Sequence, residues 1–149
     1  MSHPLDREAA TVLRRARARI SEPGAQTQWA FARDAAGNAV AATSPRAVSW
    51  CVAGALVRDA QPGPSPLERA AGRSLPRALA DEERRPRERH AQSVLLRALA
   101  LLDEAAPGPA PRLSPSAWLN NTAGHEDTLR MLDRAIQRAE ASAPKSTGG

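Results

Sequence analysis

Apolar residues recur in three different patterns along this chain. Leu5, Ala9, Val12, Leu13, Ala16 and Ile20 fall three or four residues apart, which places them on one face of a helix from Leu5 to Ile20. From Trp50 to Val57 the pattern changes, and every residue is apolar or glycine. Ser44-Pro45 precedes this run; serine can cap free backbone N–H groups, and proline fits the first helical position. Together they predict a helix over 45–59 that is buried all round and forms the centre of the fold. Gly54 and Ala55 are small enough to let a neighbouring backbone approach. The third pattern lies between these two. Glu22-Pro23-Gly24 breaks the first helix, and Trp29 and Phe31 then alternate with alanine. Asp34 to Gly37 is a turn sequence and Val40 follows, so a small hairpin or an ordered loop is expected at 28–42, with Gly37 left-handed.

Helical periodicity returns in the second half. Ser65-Pro66-Leu67-Glu68 has capping-box spacing and opens a helix that buries Leu67, Ala70, Ala71, Leu75 and Leu79, with a kink or break at Pro76. Asp81 to Arg89 alternates in charge and reads as exposed. A further helix spans 87–105 on Ala91, Val94, Leu95, Ala98, Leu101, Leu102 and Ala105. Pro107 to Pro115 is too rich in proline for a helix and reads as a stiff connector. It leads to a polar–aromatic corner, Trp118-Leu119-Asn120-Asn121. A last helix runs over about 125–141, capped by Asn121 or Thr122, with Glu126 and Asp127 at its positive end. The expected fold class is all-α, about five helices in a single domain over 1–141, with a disordered tail at 142–149.

Composition changes this picture little. The 149 residues carry a net charge of +5, almost all of it from arginine, with Lys145 the single lysine. Arg14, Arg15, Arg17 and Arg19 on the first helix offer a nucleic-acid surface, but at 100° per residue they scatter over more than half the circumference instead of forming a stripe. No apolar run approaches the roughly 20 residues needed to span a bilayer, and the N-terminus lacks the apolar core of a secretion signal, so a cytoplasmic protein without membrane contact is expected. Cys51, the single cysteine, excludes an internal disulfide and sits in the most apolar stretch, where a thiol is inert. His3, His90 and His125 share no ligand spacing, so no metal is expected, and no motif points to a cofactor or a catalytic set.

Several short features occur in a distinctive order. A tryptophan precedes a D-x-x-G turn (Trp29, then Asp34 to Gly37), and C-x-x-G-A-L follows at Cys51, Gly54, Ala55 and Leu56. Trp118, Asn120 and Asn121 then precede a closing helix with Asp133-Arg134-Ala135-Ile136. In this order the chain resembles DUF6197, a family of small bacterial and phage proteins of unknown function marked by a G-A-L helix and a Trp-Asn-Asp motif. Two departures stand out: Leu119 separates the tryptophan from the asparagine, and Asn121 stands where the family has aspartate. The resemblance implies a fold over about Leu5 to Ala139, and no activity. The expectation is therefore a small non-enzymatic interaction or regulatory module of bacterial or phage origin, with another protein as partner. A nucleic-acid-binding accessory protein using the Arg14–Arg19 helix is the alternative, and an enzyme with a pocket at Trp118–Asn121 the second. The binding residues expected are Trp29, Asp34, Trp118, Asn120 and Asn121, on the premise that the Trp29 turn and the Trp118 corner meet over the central helix.

Overall fold

The computed structural model describes residues 3–60, 75–107 and 115–143, without the side chains of 75–85 and of Trp118. Among the described residues there are five α-helices, α1 (Asp6–Arg19), α2 (Val52–Ala60), α3 (Leu75–Ala105), α4 (Pro115–Thr122) and α5 (His125–Ser142). A three-stranded antiparallel sheet of order β2-β1-β3 accompanies them, built from β1 (Ala32–Arg33), β2 (Ala39–Val40) and β3 (Ser49–Trp50). The fold is thus mostly helical, and to the small hairpin expected at 28–42 it adds a third strand, Ser49–Trp50, so that a sheet stands beside the helices. The segment expected to begin at Ser65 and the connector at 108–114 lie outside the described residues, as does the tail from residue 144.

The periodic residues of α1 face inward, and Ala9, Leu13, Ala16 and Ile20 are fully buried. Asp6 and Glu8 in its first turn and Arg17 and Arg19 in its last complement the helix dipole. This helix packs against α2, α3 and α5. Much of the surface it buries is alanine, and α5 answers with Ala135 and Ala139, so the helix backbones can lie close. The C-terminal half of α3 closes the core with Val94, Leu95, Ala98, Leu101 and Leu102.

The central segment differs from expectation. Residues 45–48 are not helical, and α2 starts only at Val52. Ser44 starts a turn instead of a helix: its carbonyl accepts the N–H of Ala47 and its hydroxyl that of Arg46. Val48 then donates its N–H to the Arg33 carbonyl, and Ser49 and Trp50 pair with Arg33 and Ala32. Sheet pairing therefore takes Val48 to Trp50, residues well suited to a pleated, half-buried surface, away from the helix. Trp50 is accordingly a strand residue; its indole N–H donates to the Ala42 carbonyl at 3.0 Å, and the Arg19 guanidinium lies 4.9 Å from the ring centroid. Helix α2 is short and half-buried at Ala53 and Val57, so it is not buried all round; it packs against α1, α3 and α4, as α1 packs against α2, α3 and α5.

The hairpin forms with Gly37 left-handed at φ 85°. The charged tract at 81–89 belongs to α3, which runs unbroken from Leu75; Pro76 sits in its first turn, where no donor is lost, and Pro86 lies inside it. Trp118 and the two asparagines lie in α4, so that corner is helical. Gly124 caps α5, replacing the caps expected from Asn121 and Thr122.

Two tertiary contacts make the packing specific. Asp6 is fully buried, and Arg97 of α3 donates to its carboxylate at 2.6 and 3.3 Å, as does the Ser142 hydroxyl at the end of α5. Burial alone would raise the Asp6 pKa, but the bonds from Arg97 and Ser142 hold it below the ordinary carboxylate value. At the other end, a Cβ on Gly54 would lie 1.9 Å from the Phe31 carbonyl oxygen, so only glycine admits that backbone against α2.

Gly54→Ala is expected to lose about 3 kcal/mol or more of stability, because neither backbone can yield to a fixed Cβ. Gly24→Ala, where the added carbon meets nothing within 4 Å, is the control, and thermal unfolding of both variants reads the difference. For Asp6, the pKa is lower in the folded than in the unfolded chain, so its ionised form stabilises the fold above the unfolded value near 3.9. The stability gap between the wild type and Asp6→Asn should be full above about pH 5 and should shrink as pH falls below about 4, through the folded pKa. Urea titrations at several pH values measure that gap.

Candidate binding site

Beside the N-terminus of α2, the Gln26–Trp29 segment meets α4. Every α-helix begins with N–H groups that have no partner within the helix. In α2 one of these, Gly54 N–H, is accepted by the Cys51 sulfur at 3.2 Å. Another, Val52 N–H, is accepted by the Asn120 side-chain oxygen at 3.0 Å, across 68 residues of sequence. Asn120 is buried in α4, and the same oxygen accepts the Gln26 amide at 3.0 Å. Its amide nitrogen donates to the Thr27 carbonyl at 3.1 Å and to the Asn121 side-chain oxygen at 3.2 Å. A backbone N–H can only donate and a carbonyl can only accept, so Val52 and Thr27 fix the orientation of this amide between them. Both donors and both lone pairs are occupied.

The neighbouring residues continue the seam. Gln26 also donates to the Thr128 hydroxyl, and Gln28 donates to the Asn120 carbonyl at 3.1 Å. Asn121 accepts the Trp29 backbone N–H at 2.9 Å. Trp29 is the one non-glycine among the described residues with a positive φ, 61°, a costly conformation for a bulky side chain. Arg33 braces the loop from the other side, donating to the Thr27 hydroxyl and to the carbonyls of Gln28 and Gly37. The result is a stitched loop that turns two aromatic rings outward: Trp29 is 64% exposed and Phe31 61%. Beside it Gln26, Gln28 and Trp29 line one wall of a cleft of about 460 Å³, and Gly124 and His125 the other. His125 Nε2 lies 2.6 Å from the Ile20 carbonyl; since that oxygen only accepts, Nε2 carries the proton and satisfies the C-terminal end of α1.

The structure thus brings together Trp29, Asn120 and Asn121 of the residues singled out in the sequence. The side chain of Trp118 lies outside the described residues. Asp34 serves its own turn: its carboxylate accepts the N–H groups of Asn38 and Ala36, and the bond from Asn38 holds its pKa below the ordinary value. Three of the four α1 arginines offered for nucleic acid are held by carboxylates: Arg14 by Glu140, Arg17 by Asp133 and Arg19 by both oxygens of Asp59. Gln26, Gln28, Phe31 and His125 belong to this region too. Sequence pattern offered no signal for the two glutamines, whose partners lie more than ninety residues away. Cys51 is half-buried, and burial raises its thiol pKa. Among the described residues no group of three or more His, Cys, Asp or Glu side chains could hold a metal ion, and no helix is long and apolar enough to cross a membrane.

Asn120→Ala is expected to cost about 2–4 kcal/mol, since it strands a helix-start N–H and a loop carbonyl together. Asn120→Asp should not rescue it, because an oxygen would then face the Thr27 carbonyl. Asn121→Ala is expected to cost only about 1 kcal/mol while speeding hydrogen exchange at the Trp29 amide. Chemical denaturation with amide exchange measured by NMR separates these outcomes.

No curated protein and no solved structure matches the chain. A family model does, over residues 4–138, a span that takes in α1, the sheet, the Gly54 contact, the Asn120 seam and most of α5. The chain belongs to DUF6197, a family of unknown function.

Proposed function

We propose that this protein is a small non-enzymatic interaction module that engages a partner protein through the stitched loop bearing Trp29 and Phe31. The observation that carries this reading is Trp29 itself. A bulky residue in the left-handed region costs on the order of 1–3 kcal/mol, and burying its ring would ordinarily be the compensation. Here the ring faces solvent, and its backbone is held in place by Asn121. A fold that keeps a strained backbone and an exposed tryptophan together gains nothing in stability from the pair. Recognition supplies the missing gain, because rigid aromatic anchors on braced loops contribute much of the energy at protein interfaces. The amides of Gln26 and Gln28 and the polar cleft beside them supply hydrogen-bonding groups around that anchor.

Trp29→Ala and Leu96→Ala remove exposed apolar side chains of similar accessibility from two different elements. Tagged wild type and both variants, recovered from the native host, should share their co-purifying proteins except for a set lost only with Trp29→Ala. Thermal unfolding should show Trp29→Ala no less stable than wild type. Identical co-purifying sets for wild type and Trp29→Ala would remove this reading.

A further inference from the structure

A second concavity, of about 510 Å³, lies along the seam between α1 and α3. Both helices line it with the same spacing: Glu8, Thr11, Val12 and Arg15 from α1, and Arg87, His90, Ala91 and Val94 from α3. Positions i, i+3, i+4 and i+7 share one helix face, so each helix contributes two turns, about 10 Å of wall. Asp59 and Ala60 at the end of α2 and Pro86 complete the lining. Val12 and Val94 are buried, and with Ala60 and Ala91 they give the floor an apolar character.

The charges in this groove are unevenly engaged. Both carboxylates have partners: Glu8 meets His90 at 2.6 Å, and Asp59 holds Arg19 through both oxygens. The cations of the rim do not. Among the described residues neither Arg15 nor Arg87 has a hydrogen-bond or ion-pair partner for its guanidinium, although most arginines of the helices are paired. Two free guanidinium groups beside an apolar floor complement a ligand that has the same two parts.

We propose that the α1–α3 groove binds a small amphiphilic anion, a carboxylate on a short aliphatic body. Its head group would meet Arg15 and Arg87, and its body would cover Val12, Ala91 and Val94. The volume lies within the range of small-molecule sites, and the open form suits a flexible chain better than a rigid ring system.

Sodium octanoate is the probe, titrated into the full-length protein and followed by amide shifts in NMR spectra. Saturable shifts are expected at Val12, Ala91 and Val94, with 1-octanol and acetate each at least about tenfold weaker, because one lacks the charge and the other the body. The double variant Arg15→Gln, Arg87→Gln should bind about tenfold more weakly with an unchanged melting temperature, since neither side chain has a partner to lose. Ala91→Phe, which fills the floor, should abolish the shifts. No saturable shifts with octanoate, equal affinity for 1-octanol, or undiminished binding by the double arginine variant would each overturn the proposal. So would binding to phosphatidylglycerol vesicles without binding to free octanoate, which would assign the arginines to a membrane surface.

Discussion

A buried amide with two donors and two acceptors demands four partners, and Asn120 obtains them from four residues in three different elements. Helix α2 supplies one N–H, the loop before the sheet supplies a glutamine and a carbonyl, and α4 supplies the neighbouring asparagine. None of these elements is well specified alone. Helix α2 has only nine residues, α4 only eight, and each strand two. Helices this short are marginal in water. Their geometry therefore depends on a polar group whose incomplete satisfaction would cost more than any one of its bonds contributes. Asp103 plays a similar part for α4, accepting the Ser116 N–H in that helix's first turn. In both cases a side chain from a distant element caps the helix.

That division explains how much was legible in the sequence. Helices α1 and α5 follow from periodicity, because their burial repeats every three or four residues, although the α5 cap falls at Gly124 and not at Asn121 or Thr122. The hairpin was legible locally too: Asp34 and Gly37 make a turn out of their own side chain and backbone. The start of α2 was not, because the evidence for it lies in Asn120 and in the Arg33 carbonyl that draws Val48 into the sheet. Ser44-Pro45 is a sound local start signal, but its hydroxyl serves a turn. At the candidate site, the meeting of Trp29 with Asn120 and Asn121 was inferable from where the aromatic and amide groups sit in the chain. The pairing of one asparagine with a helix start and the other with a loop N–H was not, since it rests on contacts across some ninety residues.

The arginine content invites a polyanion, yet several of the guanidinium groups are engaged within the fold. Guanidinium groups on α1 reach across to α2 and α5, and Arg97 of α3 closes on the buried Asp6. Exposed pairs of this kind contribute little each, but Asp6 is removed from water and its pairing decides how the first turn of α1 meets α3 and the end of α5. Alanine has a similar double meaning. It could be composition alone, yet Ala9, Ala16, Ala135 and Ala139 are fully buried between helices, where their small size sets the spacing.

The seam between the Trp29 loop and α4 also bears on the order in which the protein is made. Trp29 is synthesised 92 residues before the Asn121 that accepts its N–H. Until α4 emerges, the loop lacks the Asn121 acceptor for that group, so the stitched form of the aromatic surface waits for α4. A partner that reads this surface would recognise only chains in which α4 is made and docked, and a chain lacking α4 would be invisible to it. Binding would thus report that α4 has docked against the loop.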